Sequence, residues 1–406
     1  MKGMIILMPK ICMGCMETYD DEYEVCPKCG FIDGTTATEA RHMDPESILK
    51  DRYIVGRVLG FGGFGVTYLG WDALLEQKVA IKEYLPSEFS TRTPGKTEIT
   101  VFNGDKQTQF NDGLSKFVDE ALLLAKFHQT EGIVKIYDSF EANNTAYIVM
   151  EYLEGETITK FLERKKKIAP DQAIELLMPI IKSLITVHKS GIMHRYIAPD
   201  NIMLTKNGEA KLINFGASRY ATTSFSRSLS IIIKPGYSPE EQYRSRGDQG
   251  SYTDVYAIGA TLYNMITGVK PPDAMERRAF FERKRKDILK PMRKFCKDIT
   301  ENQEVAILNA LNIRIEDRTP DLKVFLAELT SEKPVVRRRE KIKKIDLLKW
   351  PLWVKITVSV AFLAIVILSL MFIFGIFNDI IFAKNLYNLK SLYMAKNNIT
   401  NISALL

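Results

Sequence analysis

Strand-type residues dominate the stretch I-V-G-R-V-L-G-F-G-G-F-G-V-T-Y-L-G that follows Tyr53, on both sides of a glycine cluster, and a further strand pattern ends in V-A-I-K at Lys82. The run F-V-D-E-A-L-L-L-A-K-F then reads as an amphipathic helix carrying Glu120. The longest apolar stretch comes late: Ile356–Phe377 is 22 residues without a charge. At ~1.5 Å per residue it reaches about 33 Å, enough for a hydrocarbon core of ~30 Å. The sequence therefore predicts a membrane-crossing helix over 354–377, with Trp350 and Trp353 at its leading edge, where indoles favour the headgroup region. Met4–Met8 is too short an apolar run for a secretory signal.

Composition narrows the picture. The 406 residues suggest two or three folded units, at roughly 150 residues each. With 46% apolar and 26% charged residues, a wholly disordered chain, a collagen-like repeat and a multi-span membrane protein are excluded. The net charge of +7 would suggest nucleic acid, but Ser331–Lys349 alone holds eight Lys/Arg against three acids. This patch precedes the apolar run and Asp379 follows it, so the positive-inside rule puts the first 350 residues in the cytoplasm. Segment 331–353 accordingly reads as a juxtamembrane contact for anionic lipid, with no nucleic-acid partner. The runs Lys165–Lys167 and Arg283–Lys286 read as solvated faces.

Five cysteines are too few for a disulfide-built scaffold. Four of them, Cys12, Cys15, Cys26 and Cys29, form two C-x-x-C hooks at a spacing that suits a tetrahedral thiolate site. Segment 1–34 is therefore expected to be a zinc ribbon whose metal is structural, because four protein ligands leave no open coordination position. Gly30 permits the tight turn after the second hook. Cys296 reads as an ordinary buried thiol, and 35–50 as a linker.

The glycines Gly60, Gly62 and Gly65 have G-x-G-x-x-G spacing, which alone is weak. The chain then brings V-A-I-K, V-M-E-Y-L-E-G, H-R-Y-I-A-P-D-N, N-F-G, S-P-E and T-D-V-Y-A-I-G in that order. In order and spacing, 51–330 resembles the bacterial eukaryotic-type Ser/Thr protein kinase family. The resemblance implies an α+β, two-lobed fold with ATP and Mg²⁺ in the cleft between the lobes. It implies a phosphate cover at Gly60, Gly62 and Gly65, a phosphate lysine at Lys82 after Ala80, and a tether for that lysine at Glu120. Met150 resembles the gatekeeper, and Glu151 to Leu153 the hinge whose backbone pairs with adenine. Asn201 matches a Mg²⁺ ligand, Asp254 the aspartate that orients the catalytic loop, and Glu240 with Arg318 a bracing ion pair. I-K-E-Y-L-P-S-E-F, T-P-G-K and I-T-V-F resemble an extra small-lobe element of the bacterial members.

Three positions depart from that pattern. Tyr196 replaces the aspartate that accepts the substrate proton, and a phenol with a reference pKa near 10 is no carboxylate. Asn214 replaces the metal-binding aspartate, so Asn201 and Asn214 together form only a weak Mg²⁺ set. Ala198 stands where many members have a lysine on the terminal phosphate. The chain thus reads as a pseudokinase, with or without bound ATP, that transfers phosphate poorly or not at all. The alternatives are an active Ser/Thr kinase and a cell-surface ligand-binding protein with a vestigial kinase domain. The hydroxyl-rich segment Ala217–Tyr237 reads as a polar loop before it reads as a phosphorylation site. In the tail, Leu389, Leu392, Met394, Asn397, Ile399 and Ile402 fit the start of a leucine-rich repeat. Segment 378–406 is therefore expected to be an extracytoplasmic, truncated repeat facing an external ligand, with Asn398 and Asn401 as incidental sequons. A cytoplasmic protein partner or substrate is expected as well.

Overall fold

The computed structural model describes residues 10–127, 130–215, 233–244, 247–284, 286–338 and 352–396. The chain divides near residue 340 into two units. The first begins with a short hairpin, β1 (Lys10–Ile11) and β2 (Thr18–Tyr19), which carries the first cysteine hook. A twisted antiparallel sheet follows: β3 (Ile48–Leu49), β4 (Tyr53–Gly62), β5 (Gly65–Asp72) and β6 (Gln77–Tyr84). The extra element is a hairpin, β7 (Ser90–Arg92) with β8 (Ile99–Val101). Helix α1 (Asp105–Ala125) then precedes β9 (Ile136–Ala142) and β10 (Thr145–Glu151), which complete the six-stranded order β3-β4-β5-β6-β10-β9. One face of this sheet and the inner face of α1 (Phe110, Phe117, Ala121) bury a core with Val55, Tyr68, Ile81 and Val149.

The larger lobe has its own core. It contains β11 (Gly155–Thr157), α2 (Ile158–Lys165), α3 (Pro170–Lys189), β12 (Ile202–Thr205) and β13 (Ala210–Leu212). After these come α4 (Ser251–Thr267), α5 (Ala274–Lys284), α6 (Glu301–Ala310) and α7 (Leu322–Leu329). Helix α3 buries Ile174, Leu177, Ile180, Ile181, Leu184 and Val187, the three-and-four spacing of a core-facing helix. Each such side chain contributes about 1.5–3 kcal/mol.

Several expectations need correction. Segment 35–50 is no loose linker. Met43 and Leu49 are buried, the Met43 N–H donates to the Tyr68 hydroxyl at 3.1 Å, and Arg41 donates to the Leu85 carbonyl at 3.0 Å. It is a strap drawn onto the sheet by the buried ion pair between Glu83 and Arg92. Arg92 also donates to the Arg41 carbonyl at 2.7 Å, and Glu83 accepts from Tyr68 at 3.0 Å and Tyr147 at 2.9 Å.

The tail needs correction too. Helix α8 runs Leu352–Lys396, so the apolar run is part of a longer helix and 378–396 is not the start of a leucine-rich repeat. One repeat cannot bury its strand face, whereas a helix satisfies its backbone groups within itself. Asn397, Ile399 and Ile402 lie outside the described residues, as does most of Ala217–Tyr237. Among the described residues no helix is long and apolar enough to cross a membrane.

Arg318 does not pair with Glu240. Its guanidinium meets Glu241 in a two-pronged contact, Nη1 to Oε1 at 2.6 Å and Nη2 to Oε2 at 3.1 Å. Its remaining donors go to the carbonyls of Asn312, Ile313 and Tyr252. Glu240 faces Arg244 and Arg278 instead. Glu241→Ala leaves a buried, unpaired guanidinium and is expected to destabilise the domain by about 3–5 kcal/mol, against ~1 kcal/mol or less for Glu240→Ala. Urea unfolding of the two variants checks this; equal losses would reject the pairing.

Candidate functional site

The cleft-facing residues of the small lobe follow from strand register. Ala80 on β6 lies directly opposite Met150 on β10, and Lys82 opposite Ile148. With a period of two, Ala80 and Lys82 share one face. The Lys82 ammonium sits 5.9 Å from the centre of the Phe117 ring, one turn before the buried Glu120 on α1. Gly60 and Gly62 face open space, where a phosphate could approach the backbone. Gly65 is there for another reason: a Cβ would lie 1.9 Å from the Glu83 carbonyl oxygen.

The hinge is partly committed elsewhere. The Glu151 N–H donates to the Lys135 carbonyl at 2.9 Å, so it is not free for adenine. Its carboxylate takes Lys211 at 2.8 and 2.9 Å, tying β10 to β13. Tyr152 and half-buried Leu153 continue the hinge.

On the large lobe, Asp254 in the first turn of α4 is completely buried. It accepts the N–H groups of His194 at 2.8 Å and Arg195 at 2.7 Å, and it bonds His188 Nε2 at 2.8 Å. Burial pushes its carboxyl up, but His188 and the Arg195 N–H outweigh that and hold it below the usual range. Arg195 adopts φ 63°, a left-handed conformation stabilised by the bond to Asp254 and by Gln242, which donates to the Arg195 carbonyl at 2.6 Å. His194 packs edge-on against Phe215, with ring centres 4.2 Å apart. Its Nδ1 accepts the Tyr196 N–H at 3.1 Å, which places the proton on Nε2, 3.3 Å from the Ile213 carbonyl oxygen.

The three departures lie together. Asn201 Nδ2 donates to the Tyr196 carbonyl at 2.7 Å, and Asn214 Nδ2 donates to Asn201 Oδ1 at 3.0 Å. The two amides expected to hold Mg²⁺ are thus bonded to each other. Asn214 has φ 60°, a conformation asparagine tolerates. Ala198 is buried. Over the Tyr196 ring, 4.5 Å from its centre, stands the Lys234 ammonium, which is also paired with Asp200. Sequence reasoning missed Lys234, Asp200, His188 and Gln242. Only the position of Asp200, beside Asn201 in the matched motif, offered a signal.

The cysteine hooks form a compact set: their four Sγ atoms lie within 4.8 Å of one another, with Cys12–Cys29 at 3.5 Å and Cys15–Cys26 at 3.9 Å. Thiolates on one tetrahedral Zn²⁺ stand about 3.8 Å apart, given Zn–S near 2.3 Å. The donor set fits. Met13 and Met16, between the cysteines, pack on Leu69 of β5, and Arg57 Nε donates to the Gly14 carbonyl at 2.6 Å. Lys78 on β6 bridges Glu17 at 2.5 Å and Glu154 at 3.1 Å.

Two lobes, a glycine hairpin over a strand lysine, and a buried aspartate beneath an H-R loop define the arrangement. The sequence matches the protein kinase domain family over residues 53–345. The chain belongs to this family. A probable serine/threonine-protein kinase of Clostridium acetobutylicum is 31% identical over 289 residues, 71% of this chain and 41% of that protein. The serine/threonine-protein kinase PknB of Mycolicibacterium smegmatis is 31% identical over 276 residues, 65% of this chain and 40% of its own. This chain therefore spans less than half the length of these two curated relatives. The solved PpkA-294 apo form matches with a TM-score of 0.63 at 28% identity, over 71% of this chain and 99% of that one. A protein kinase domain implies ATP and Mg²⁺ as its cofactors.

Burial pushes the His194 imidazole down to about 4, so the fold holds it neutral. The unfolded chain, with a histidine near 6.5, binds the proton first. Stability present above pH 6.5 is therefore lost as pH falls towards 4, at up to about 1.4 kcal/mol per pH unit. Urea unfolding at pH 7 and pH 5 is expected to show this slope, flattened in His194→Gln. An unchanged slope would mean the proton goes elsewhere.

Proposed function

We propose that this chain is a membrane-anchored signalling protein whose protein kinase domain binds ATP and transfers phosphate slowly or not at all. One observation carries the reading: the two positions that need carboxylates hold a phenol, Tyr196, and an amide, Asn214, whose donor is spent on Asn201. A phenol lacks the two anionic oxygens of a carboxylate and makes a poorer proton acceptor. Losing a positioned base removes roughly 10²–10⁴ in rate, and weakening the metal site removes part of the electrostatic stabilisation besides. The elements that hold the cleft together are present, from Lys82 to Asp254.

The kinship favours a second reading, an active Ser/Thr kinase, because the relatives are named as serine/threonine-protein kinases. Phosphate incorporation from labelled ATP separates the two. Wild-type turnover is expected near background, with a gain of roughly 10² or more in the Tyr196→Asp, Asn214→Asp double variant. Ordinary turnover by the wild type, lost in Lys82→Ala, would establish the kinase instead.

Membrane anchoring rests on the sequence alone, on the uncharged run Ile356–Phe377 and the basic stretch before it, since no described helix meets the length and hydropathy of a span. The N-terminal region is then cytoplasmic. The cysteine knuckle holds a structural Zn²⁺. Protein made in cells is expected to stay with membranes through an alkaline wash and to contain one zinc per chain by elemental analysis. Release into the wash, or zinc-free protein, would refute the respective point.

A further inference from the structure

The Mg²⁺ that a protein kinase domain implies has a poor donor set here. Mg²⁺ is a hard cation that favours carboxylate and phosphate oxygens in near-octahedral order. Asn201 and Asn214 bring no charge, and the Asn201 oxygen already accepts from Asn214. The terminal phosphate of a polyphosphate in this cleft still needs a positive charge beside it, and position 198, where many members of the family carry a lysine, holds only a buried methyl.

The charge comes from the other side of the loop. Lys234 enters from the segment preceding Tyr237, and its ammonium stands over the Tyr196 ring while bonding Asp200, the neighbour of Asn201. An ammonium has three N–H donors. Asp200 takes one and the Tyr196 side chain another, which leaves one for a phosphate oxygen. The Lys234 side chain is mostly shielded, at 21% exposure, whereas the Asp200 carboxylate is half open to water, at 45%. The cation is thus fixed in position and its counter-charge is partly solvated. Burial opposes its charge, but the bond to Asp200 outweighs this and keeps the ammonium charged.

We propose that the cleft takes a nucleoside triphosphate without its metal ion, with Lys234 supplying the terminal-phosphate cation that Ala198, Asn201 and Asn214 do not provide. This rests on the nucleotide-binding reading above. Tyr196 then has a positive role as the platform that positions Lys234.

The test is calorimetric titration of the full chain in detergent with ATP and with ADP, each in excess EDTA and in excess Mg²⁺. The expected result is ATP binding in EDTA at least as tight as in Mg²⁺. Lys234→Met should weaken ATP roughly tenfold or more while changing ADP less than about threefold, since one charge-assisted bond to the last phosphate is lost. Lys234→Arg should restore most of the ATP affinity. A merely structural lysine would weaken both nucleotides alike, which would overturn the assignment. ATP binding that appears only with Mg²⁺, or gains tenfold from it, would overturn it too. Absence of binding by either nucleotide under both conditions would remove the nucleotide-binding reading itself, a distinct outcome. Melting curves of the ligand-free variants identify any that fail to fold, and Lys234→Gln then replaces Lys234→Met.

Discussion

A carboxylate removed entirely from water persists only if its lone pairs are used, and Asp254 uses them on the catalytic loop. Two backbone N–H groups and one imidazole converge on it, and together they fix Arg195 in a conformation that a non-glycine residue otherwise avoids. From that fixed point the loop runs through Tyr196, whose carbonyl holds Asn201, whose oxygen in turn holds Asn214. The geometry of the H-R-Y loop is thus held from α4, by a side chain outside the loop itself. With Tyr196 and Asn214 in place the frame around Asp254 is intact, because that part of it depends on main-chain N–H groups of the loop, the Asp254 carboxylate and the His188 imidazole.

The small lobe has a comparable anchor. Glu83 and Arg92 form a fully buried pair whose remaining hydrogen-bonding capacity goes to two tyrosines and to carbonyls of the strap and the β7–β8 hairpin. An unpaired charge there would be severely unfavourable, so strap, insert and sheet are held as one body. On the opposite face, the cysteine knuckle adds a second brace. Its methionines cover Leu69, and Tyr152 of the hinge packs with the same cluster. The segments flanking the glycine hairpin are therefore supported from both sides.

Much of this was legible in the sequence. The glycine spacing, V-A-I-K, H-R-Y and N-F-G are local strings with local causes, and they located Lys82, Asn201 and Asn214. Asp254 was legible for the same reason. The choice between Glu240 and Glu241 was not, because two adjacent acids differ only in which way a 3₁₀ turn points them. Lys234 was invisible since its partners lie more than thirty residues away. Segment 35–50 looked like a spacer because its few apolar residues have no period, and only the tertiary contacts of Met43 and Leu49 reveal it as a strap. The leucine pattern after residue 388 misled because a repeat motif carries meaning only when neighbours stack on it.

The three glycines of the hairpin are not equivalent. Gly60 and Gly62 leave room for something outside the chain, while Gly65 leaves room for the Glu83 carbonyl on the neighbouring strand. An alanine at 65 would push β5 away from β6, and with it the register that sets Thr67 against Lys82. Such a variant would imitate a ligand-binding defect in any assay while its actual lesion was a displaced strand. Scanning the G-x-G-x-x-G string as one unit would therefore merge two different kinds of damage under one phenotype.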